Sequence, residues 1–498
     1  MKKIKYIIVI LSVILTFSCQ SILEQTMQGQ VALDNLLSTQ SGINTAVNGI
    51  YQPLQGVYQN QMVYMTSMAS DEGWTWRKET EPDIYILDPT STVTQSIWSS
   101  HYTGITRANT VIDRIPLVTD FSSPEFKNAV EGQAKFMRAF YYFNLVRIFG
   151  PVPIITSEIK DRKDAEQPRS TIKDVYTQIK KDLDDAIKLL PVKYTGSIGM
   201  EIGRPTSYTA TALKALVSLE LEEWNEVVQL TATIADKGKL LANYADNFNG
   251  SQENSTGSFF EIQYGGVTGA TTCSLSSTFS PSEYSGSASP LPTDDNLNGK
   301  GGGLSSGNGF LQLFEPGDLR KDVTLAGYGL ANFIDPTKPK GSLYYVNKFY
   351  NTKDPRGLST WNYPLIRYAE VLLARAESLN ELGYVAGGEA FVYINKTRIN
   401  AGLPALTSVE LTNQVSFRNA LLKERKIELS FESKSYFDLN RLGILQQKIQ
   451  FQMDYLKLTF PSNKLITHPV TSKKYFLFPI PSIEFVNNAN LGTQNPGY

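Results

Sequence analysis

The stretch from Asp71 to Arg77, with the sequence DEGWTWR, contains the side chains best suited to holding a ligand. Trp74 and Trp76 lie two positions apart in a segment without helical periodicity, so on an extended chain both would point to the same side. Two indole rings on one side offer a flat apolar platform for a sugar ring, while Asp71 or Arg77 could hydrogen-bond its hydroxyl groups. The alternative interpretation is a tryptophan pair that closes the edge of the hydrophobic core.

A second group of candidate contacts lies in residues 265–309, which are rich in Gly, Ser, Thr and Asn. Composition of this kind is typical of a disordered linker, whereas a long ordered loop inside a globular protein is usually functional. Tyr284 and Phe279 are aromatic residues of this stretch that do not belong to a helical stripe. We therefore take both as further candidates for ligand contact.

Signatures of catalysis are poor in this sequence. His101 and His468 are its only histidines, which excludes a histidine-rich metal site or an HExxH zinc helix. The run Gly303-Leu-Ser-Ser-Gly307 satisfies the nucleophile-elbow pattern, but that motif needs a strand before the serine, and a glycine-rich run precedes it here. We find no phosphate loop or dinucleotide fingerprint. The prediction is a protein that is not an enzyme, with no cofactor and no catalytic metal.

Charged residues also recur among the apolar positions of the predicted helices, where a pair of carboxylates could in principle be catalytic. The set is Arg367, Glu370, Arg375, Glu377, Glu424, Arg425 and Glu428. Because a charge buried among helices has to be paired with an opposite charge, we interpret these residues as ion pairs that join adjacent helices.

Residues 1–18 have the features of a secretory leader. Three lysines precede an apolar run from Tyr6 to Phe17, which is shorter than the about 20 residues of a membrane-spanning helix. Cys19 then stands where a bacterial lipoprotein is cleaved and acylated, so we predict a lipoprotein signal peptide and lipidation of Cys19; an ordinary signal peptide is the alternative. Loss of the leader moves the net charge from −1 to −4, and an acidic chain without a basic tail argues against nucleic acid as partner.

Two helical blocks, separated by an irregular middle, would position these residues. Apolar residues recur at helical spacing in both blocks. Predicted helices end near Gly150 and cover residues 171–190, 206–222, 224–236, 391–400 and 417–431, and another begins near Tyr363. Residues 259–264 read as a strand. Helix pairs joined by tight turns are the unit of tetratricopeptide packing, so the pattern predicts a mostly α fold of repeat-like hairpins, with long irregular loops and minor strands.

Five segments of the chain resemble the SusD/RagB family of outer-membrane lipoproteins of the Bacteroidetes. They are RAFYYFNLVRIFGPVP at 138–153, the helix at 169–191, NYPLIRYAEVLLARAE at 362–377 with NELG at 380–383, ERKIEL at 424–429 with YFDLNR at 436–441, and FPIP at 478–481 with QNPGY at 494–498. Each segment is weak evidence by itself. Together they occur in the order and spacing of the family.

The resemblance implies a tetratricopeptide-containing α-superhelix over residues 19–498, with helices at about 125–240 and 363–450 and a loop-rich, ligand-facing insertion at about 243–350. It implies a surface-exposed, lipid-anchored protein of the outer membrane that covers a SusC-like, TonB-dependent barrel and hands it an oligosaccharide. In the RagB-like branch the ligand is a peptide, which remains an alternative, and the loop with Tyr284 and Phe279 could contact the barrel instead. A surface glycosidase is a third hypothesis, and it requires a carboxylate pair in a cleft.

Overall fold

The computed structural model describes residues 34–72, 87–195, 202–265, 272–279, 310–327, 344–349, 359–451 and 476–498. The longer helices are α1 (Gln40–Tyr58), α2 (Gln61–Met68), α3 (Thr92–Arg114), α4 (Pro124–Phe149), α5 (Ile172–Leu189), α6 (Ser207–Glu220), α7 (Trp224–Ile234), α8 (Tyr368–Leu382), α9 (Glu389–Asn400), α10 (Gln414–Glu428) and α11 (Ser435–Arg441). Short helices span Arg162–Ala165, Leu275–Phe279, Phe310–Leu313, Lys321–Thr324 and Ser482–Asn487. The strands are β1 (Ser258–Ile262), β2 (Leu325–Gly327), β3 (Tyr344–Val346) and β4 (Tyr363–Arg367).

Local sequence signals set both ends of α4, the longest of these helices. Ser123 caps the N-terminus by accepting a hydrogen bond from the Phe126 N–H, and Pro124 occupies the first turn, where its missing N–H costs nothing. Gly150 ends the helix at φ +72, a backbone conformation that favours glycine, and Pro151 follows it. The predicted end near Gly150 is therefore confirmed.

Consecutive helices pack against each other along the chain, which is the arrangement of helical hairpins that the sequence predicted. Helix α3 packs on α4, α4 on α5, α5 on α6 and α6 on α7. Helix α7 then contacts α8, so the two helical blocks stay adjacent although a long irregular stretch separates them in sequence, and α8 continues to α9 and α10. The mostly α, superhelical fold is confirmed.

The predicted helix boundaries are correct to within a few residues, with one exception. Residues 363–367 were expected to begin the long helix of the second block, but they form strand β4, and α8 begins only at Tyr368. Strand β4 pairs antiparallel with β1, from Ser258 opposite Arg367 to Ile262 opposite Tyr363. Every residue of β4 is buried, so its sequence lacks the alternation of polar and apolar residues that distinguishes a strand from a buried helix.

The hydrophobic core of the first block centres on the aromatic face of α4. Tyr141 and Phe136 are fully buried there, and the Tyr141 hydroxyl donates a hydrogen bond of 2.6 Å to the Ile50 carbonyl of α1. Gly104 on α3 permits this close approach, because a Cβ at that position would lie 2.1 Å from the Tyr141 ring. In the part of the chain that the structure describes, no helix is long and apolar enough to cross a membrane.

Candidate ligand-binding site

The structure describes one residue of the predicted platform, Asp71. Trp74, Trp76, Arg77 and Tyr284 lie outside the described residues, as do the predicted lipidation site Cys19 and the serine run at 303–307. What the structure shows of the candidate site is therefore the framework to which these residues are joined through the chain.

Asp71 is tied to the second helical block by an ion pair. Its carboxylate lies 2.5 Å from Lys426 Nζ on α10 and accepts a hydrogen bond of 3.4 Å from the Ser435 hydroxyl at the start of α11. Lys426 also donates to the Asp71 main-chain carbonyl, at 3.3 Å. Asp71 thus joins the end of the described segment 34–72 to the ends of two helices.

The neighbouring residue, Glu72, was not predicted and makes the second attachment. Its side chain is buried, and one carboxylate oxygen accepts a hydrogen bond of 3.1 Å from the Phe431 N–H. The other oxygen is buried and has no hydrogen-bond partner among the described residues. Burial raises the pKa of Glu72 to about 8, with Lys426 opposing the shift, so the carboxyl group is largely protonated at neutral pH. No sequence pattern separates this glutamate from a surface residue.

The backbone that receives Glu72 is the turn Ser430–Ser435 between α10 and α11, hereafter the 430–435 turn. Phe431 and Ser433 adopt φ values of +58 and +62, a left-handed conformation that residues with a side chain rarely hold. Glu432, between them, points into the protein and is buried. A turn with two such residues requires surrounding contacts that over-determine it.

Aromatic side chains pack around the 430–435 turn. The ring centroids of Phe279 and Phe310 lie 6.1 and 5.4 Å from that of Phe431, and Phe349 lies 6.1 Å from Phe279. Phe279 is fully buried at the end of a short helix, which removes it from the candidate ligand contacts. Its side chain belongs to the core because the last turn of that helix faces Phe431.

Buried ion pairs fix the same turn from its inner side. Lys348 Nζ lies 2.6 Å from Glu432 and donates to the Ser430 carbonyl at 2.9 Å. Arg367, at the end of β4, contacts both Glu428 and Glu432 at 2.7 Å. Burial lowers the pKa of Lys348 to about 8. Burial alone would raise the pKa of Glu432, but Arg367 and Lys348 hold it below its usual value.

The charged residues that the sequence analysis singled out are paired as it expected. Glu424 and Glu428 contact the buried Arg320 at 2.6 and 3.0 Å, on the inner face of α10. The other pairs are Glu370 with Lys434, Arg375 with Glu389, Glu377 with Arg441 and Arg425 with Asp438. These contacts join neighbouring elements, so the interpretation as ion pairs is confirmed. The sequence analysis missed Arg320, Lys348 and Glu432, although Glu424, Glu428 and Glu432 follow one another at steps of four.

A small cavity lies between the two helical blocks, lined by charged side chains such as Arg147, Glu220, Arg425 and Arg441. Its volume of about 40 Å³ has room for about two or three water molecules. Ligand pockets are usually several hundred Å³, so this cavity is small for a ligand site.

The described residues offer no metal site. Among them, no three or more His, Cys, Asp or Glu side chains are grouped so that they could hold a metal ion. His101 is buried on α3, where its Nδ1–H donates to the Ile97 carbonyl and its Nε2 accepts from Asn144. Burial lowers the pKa of His101 to about 4, so its ring is neutral and serves the core.

Comparison with known proteins assigns the class to which this architecture belongs. Residues 23–219 match a family described as "Starch-binding associating with outer membrane", and residues 320–498 match one described as "SusD family". Neither description is that of an enzyme family. The chain is 27% identical to SusD-like protein P2 of Formosa agariphila, over 99% of this chain and 100% of that protein.

Solved structures show the same fold along most of the chain. A laminarin-binding SusD-like protein superimposes with a TM-score of 0.73 at 23% identity, covering 93% of this chain and 100% of that one. Surface glycan-binding protein A from Bacteroides uniformis superimposes with a TM-score of 0.70 at 23% identity, covering 92% and 99%. These structures share the α-superhelical fold, and the matched family models assign the chain to the SusD class, whose description associates it with the outer membrane. The chain belongs to the SusD/RagB family.

Proposed function

We propose that this protein is a non-catalytic, lipid-anchored outer-membrane protein that binds an oligosaccharide and delivers it to a SusC-like, TonB-dependent barrel. One observation carries the proposal: a solved protein that binds laminarin shares this fold over nearly the whole of both chains. Membership of the SusD/RagB family supports the same function. The structure contributes the framework on which such a binding surface would stand.

We infer that the binding surface includes Trp74, Trp76, Arg77, Asp71 and Tyr284. An extended residue spans about 3.3–3.6 Å, so Trp74, two residues after Glu72, lies at most about 7 Å along the chain from it. Tyr284 follows Phe279 by five residues, a reach of at most about 18 Å. Glu72 and Phe279 both contact Phe431. The two stretches of chain that carry the candidate aromatic residues are therefore each joined to a described residue that contacts Phe431, which supports a common surface.

The anchor in this proposal is a lipid on Cys19. Its support is the positive and apolar leader at residues 1–18 together with the outer-membrane association of the matched family. Metabolic labelling with a palmitate analogue tests it: the wild-type chain should be labelled, and Cys19→Ala should not. Labelling of the Cys19→Ala chain would contradict lipidation at this residue.

The partner in this proposal is a TonB-dependent barrel. Solubilisation of the outer membrane in a mild detergent, followed by purification of this protein, should recover a barrel protein with it. Recovery of the protein alone under those conditions would count against a stable complex.

The proposed ligand class is tested with the chain from residue 20 onward, applied in parallel to a glycan array and a peptide library. Retention on one or more glycans with no retention on peptides is the expected result. Retention on peptides alone would replace the oligosaccharide with a peptide ligand and keep the rest of the proposal.

The platform is tested by replacing both tryptophans, Trp74→Ala with Trp76→Ala. Each stacked aromatic contact contributes about 0.5–1.5 kcal/mol beyond burial, so the double variant should lose glycan affinity by about tenfold. Trp361→Ala is the matched control, because Trp361 is a partly exposed tryptophan that packs over Gly250, and it should keep wild-type affinity. Equal affinities for the double variant and the wild type would remove the platform while leaving the ligand class intact.

A further inference from the structure

The 430–435 turn collects contacts from several separate parts of the chain, among them Arg367 of β4, which pairs with Glu432. Glu72 and Asp71 reach it from the end of the first described stretch, through the Phe431 N–H and the Ser435 hydroxyl. Phe279 and Phe310, the described residues on either side of 280–309, both place their rings against Phe431. Lys348 reaches Glu432 and the Ser430 carbonyl.

The backbone of the 430–435 turn has a conformation that ordinary core packing does not require. Phe431 and Ser433 hold positive φ values, at +58 and +62, although neither is a glycine. Backbone of this kind persists only where the surroundings over-determine it, and it is concentrated at functional sites. Here the surroundings are a hydrogen bond to a buried carboxyl group, two aromatic contacts and two ion pairs, each from a different element.

We infer that the 430–435 turn is a positioning element for the ligand-binding surface, which fixes the attachment points at Asp71–Glu72, Phe279 and Phe310 relative to one another. Phe431 is its central positioning residue. The inference rests on the proposed function, because it assigns to the turn a role in the affinity of that surface. The alternative is that the turn contributes only to global stability.

The alternative makes a different prediction for a matched pair of variants. Phe431→Leu keeps an apolar side chain but loses the ring contacts to Phe279 and Phe310. Phe136→Leu makes the same change at another fully buried phenylalanine, whose ring on α4 packs on Phe260 of β1 and not on Phe431. If the turn only stabilises the fold, both variants lose stability and, at a temperature where both are fully folded, neither loses affinity.

The positioning role predicts a loss of glycan affinity of about fivefold or more for Phe431→Leu, and less than about twofold for Phe136→Leu. The probe is a laminarin oligosaccharide, or the best-retained glycan of the array if laminarin does not bind, and circular dichroism confirms that each variant is folded. Glu72→Ala should also weaken binding, and Glu72→Gln should restore it at pH 7, because the amide oxygen can still accept from the Phe431 N–H. Wild-type affinity for both Phe431→Leu and Glu72→Ala would overturn the inference.

A second readout does not depend on a glycan. In hydrogen exchange, Phe431→Leu should speed the exchange of the amides at Ala69–Glu72, Leu275–Phe279 and Phe310–Leu313 together, whereas Phe136→Leu should leave them unchanged. If the wild type binds no glycan, the proposed function fails, but this exchange pattern still decides whether the turn holds the three attachment points. Unchanged exchange at all three in Phe431→Leu would overturn the inference.

Discussion

The two helical blocks differ in how much of their interior is ionic: the first contains the buried pair of Arg138 with Asp182 between α4 and α5, whereas the second contains a network of several buried pairs. In the first block the buried face of α4 is aromatic, and its hydroxyl groups are satisfied by carbonyls, as with Tyr141 and the Ile50 oxygen or Tyr142 and the Ile155 oxygen. In the second block the inner face of α10 carries carboxylates. These carboxylates, together with that of Glu432 in the 430–435 turn, meet the buried cations Arg320, Lys348 and Arg367, which come from three other parts of the chain.

We interpret the first block as a framework and the ionic part of the second block as the support for a ligand-binding surface that must be placed accurately. Apolar burial is non-directional and roughly proportional to the area removed from water, so it holds helices together without fixing each side chain. Buried ion pairs contribute little net stability, but they leave a costly unpaired charge when one partner moves. The ionic part of the interior lies beneath the attachment points at Asp71, Glu72, Phe279 and Phe310, where a fixed geometry would serve ligand binding.

The largest loss of stability should come from replacing one buried cation of the second block. Arg367→Met leaves Glu428 and Glu432 short of a partner in a buried site, and we expect a loss of about 3–5 kcal/mol in the free energy of unfolding. Urea denaturation measures it. Arg162→Met is the matched control, because Arg162 is exposed and pairs with Glu166 at the surface, where a loss of less than about 1 kcal/mol is expected. Similar losses in the two variants would show that the buried network is not special.

The first block should instead lose stability when the interface between its helices is overpacked. Gly104→Ala would place a Cβ 2.1 Å from the Tyr141 ring, so α3 and α4 must move apart, at a cost of about 1–3 kcal/mol in unfolding free energy. Gly49→Ala is the control on α1, where the new Cβ meets nothing within 4 Å, and it should stabilise the protein by about 0.5–1 kcal/mol. Thermal denaturation of both variants would contradict this account if their melting temperatures shifted in the same direction.

A smaller, pH-dependent effect on stability should come from Glu72, which is joined to the 430–435 turn through the Phe431 N–H. The pKa of Glu72 is raised by burial to about 8, so its contribution to stability is complete below the unfolded pKa of about 4.5 and is lost as the pH rises through about 8. Between pH 7 and pH 8 the wild type should lose about 1 kcal/mol that Glu72→Gln does not lose. Urea denaturation at both pH values measures the difference, and parallel losses in the two proteins would contradict the assignment.

Several helices were predictable because their apolar residues follow the helical period, and because caps and breakers mark their ends. Helix α4 is the clearest case, with Pro124 at one end and Gly150 at the other. Strand β4 was missed because it is buried on all sides, so its residues show no alternation. The ion pairs of α10 were predictable in kind, since buried charges must be paired, but their partners were not, because Arg320 and Lys348 come from an irregular part of the chain.

The candidate site was less accessible to prediction. Asp71 was predicted to contact a ligand; its carboxylate contacts Lys426 and Ser435 in the structure, and its role in ligand binding stays a prediction. Phe279 was expected in a ligand-facing loop, and it lies in the core. The sequence of the 430–435 turn contains no glycine, so it gives no indication of the positive φ values at Phe431 and Ser433. Its conformation depends on contacts with residues that are distant in sequence, and a single sequence does not show these contacts. The roles of Trp74, Trp76, Arg77 and Tyr284 stay predictions.

The central claim is that this chain binds an oligosaccharide and leaves it intact. Calorimetric titration of the chain from residue 20 onward with the best-retained glycan, followed by chromatography of the recovered glycan, tests both halves at once. The account predicts saturable binding and recovery of the glycan at its original length. A titration without heat for any retained glycan, or the appearance of shorter products with new reducing ends, would contradict it.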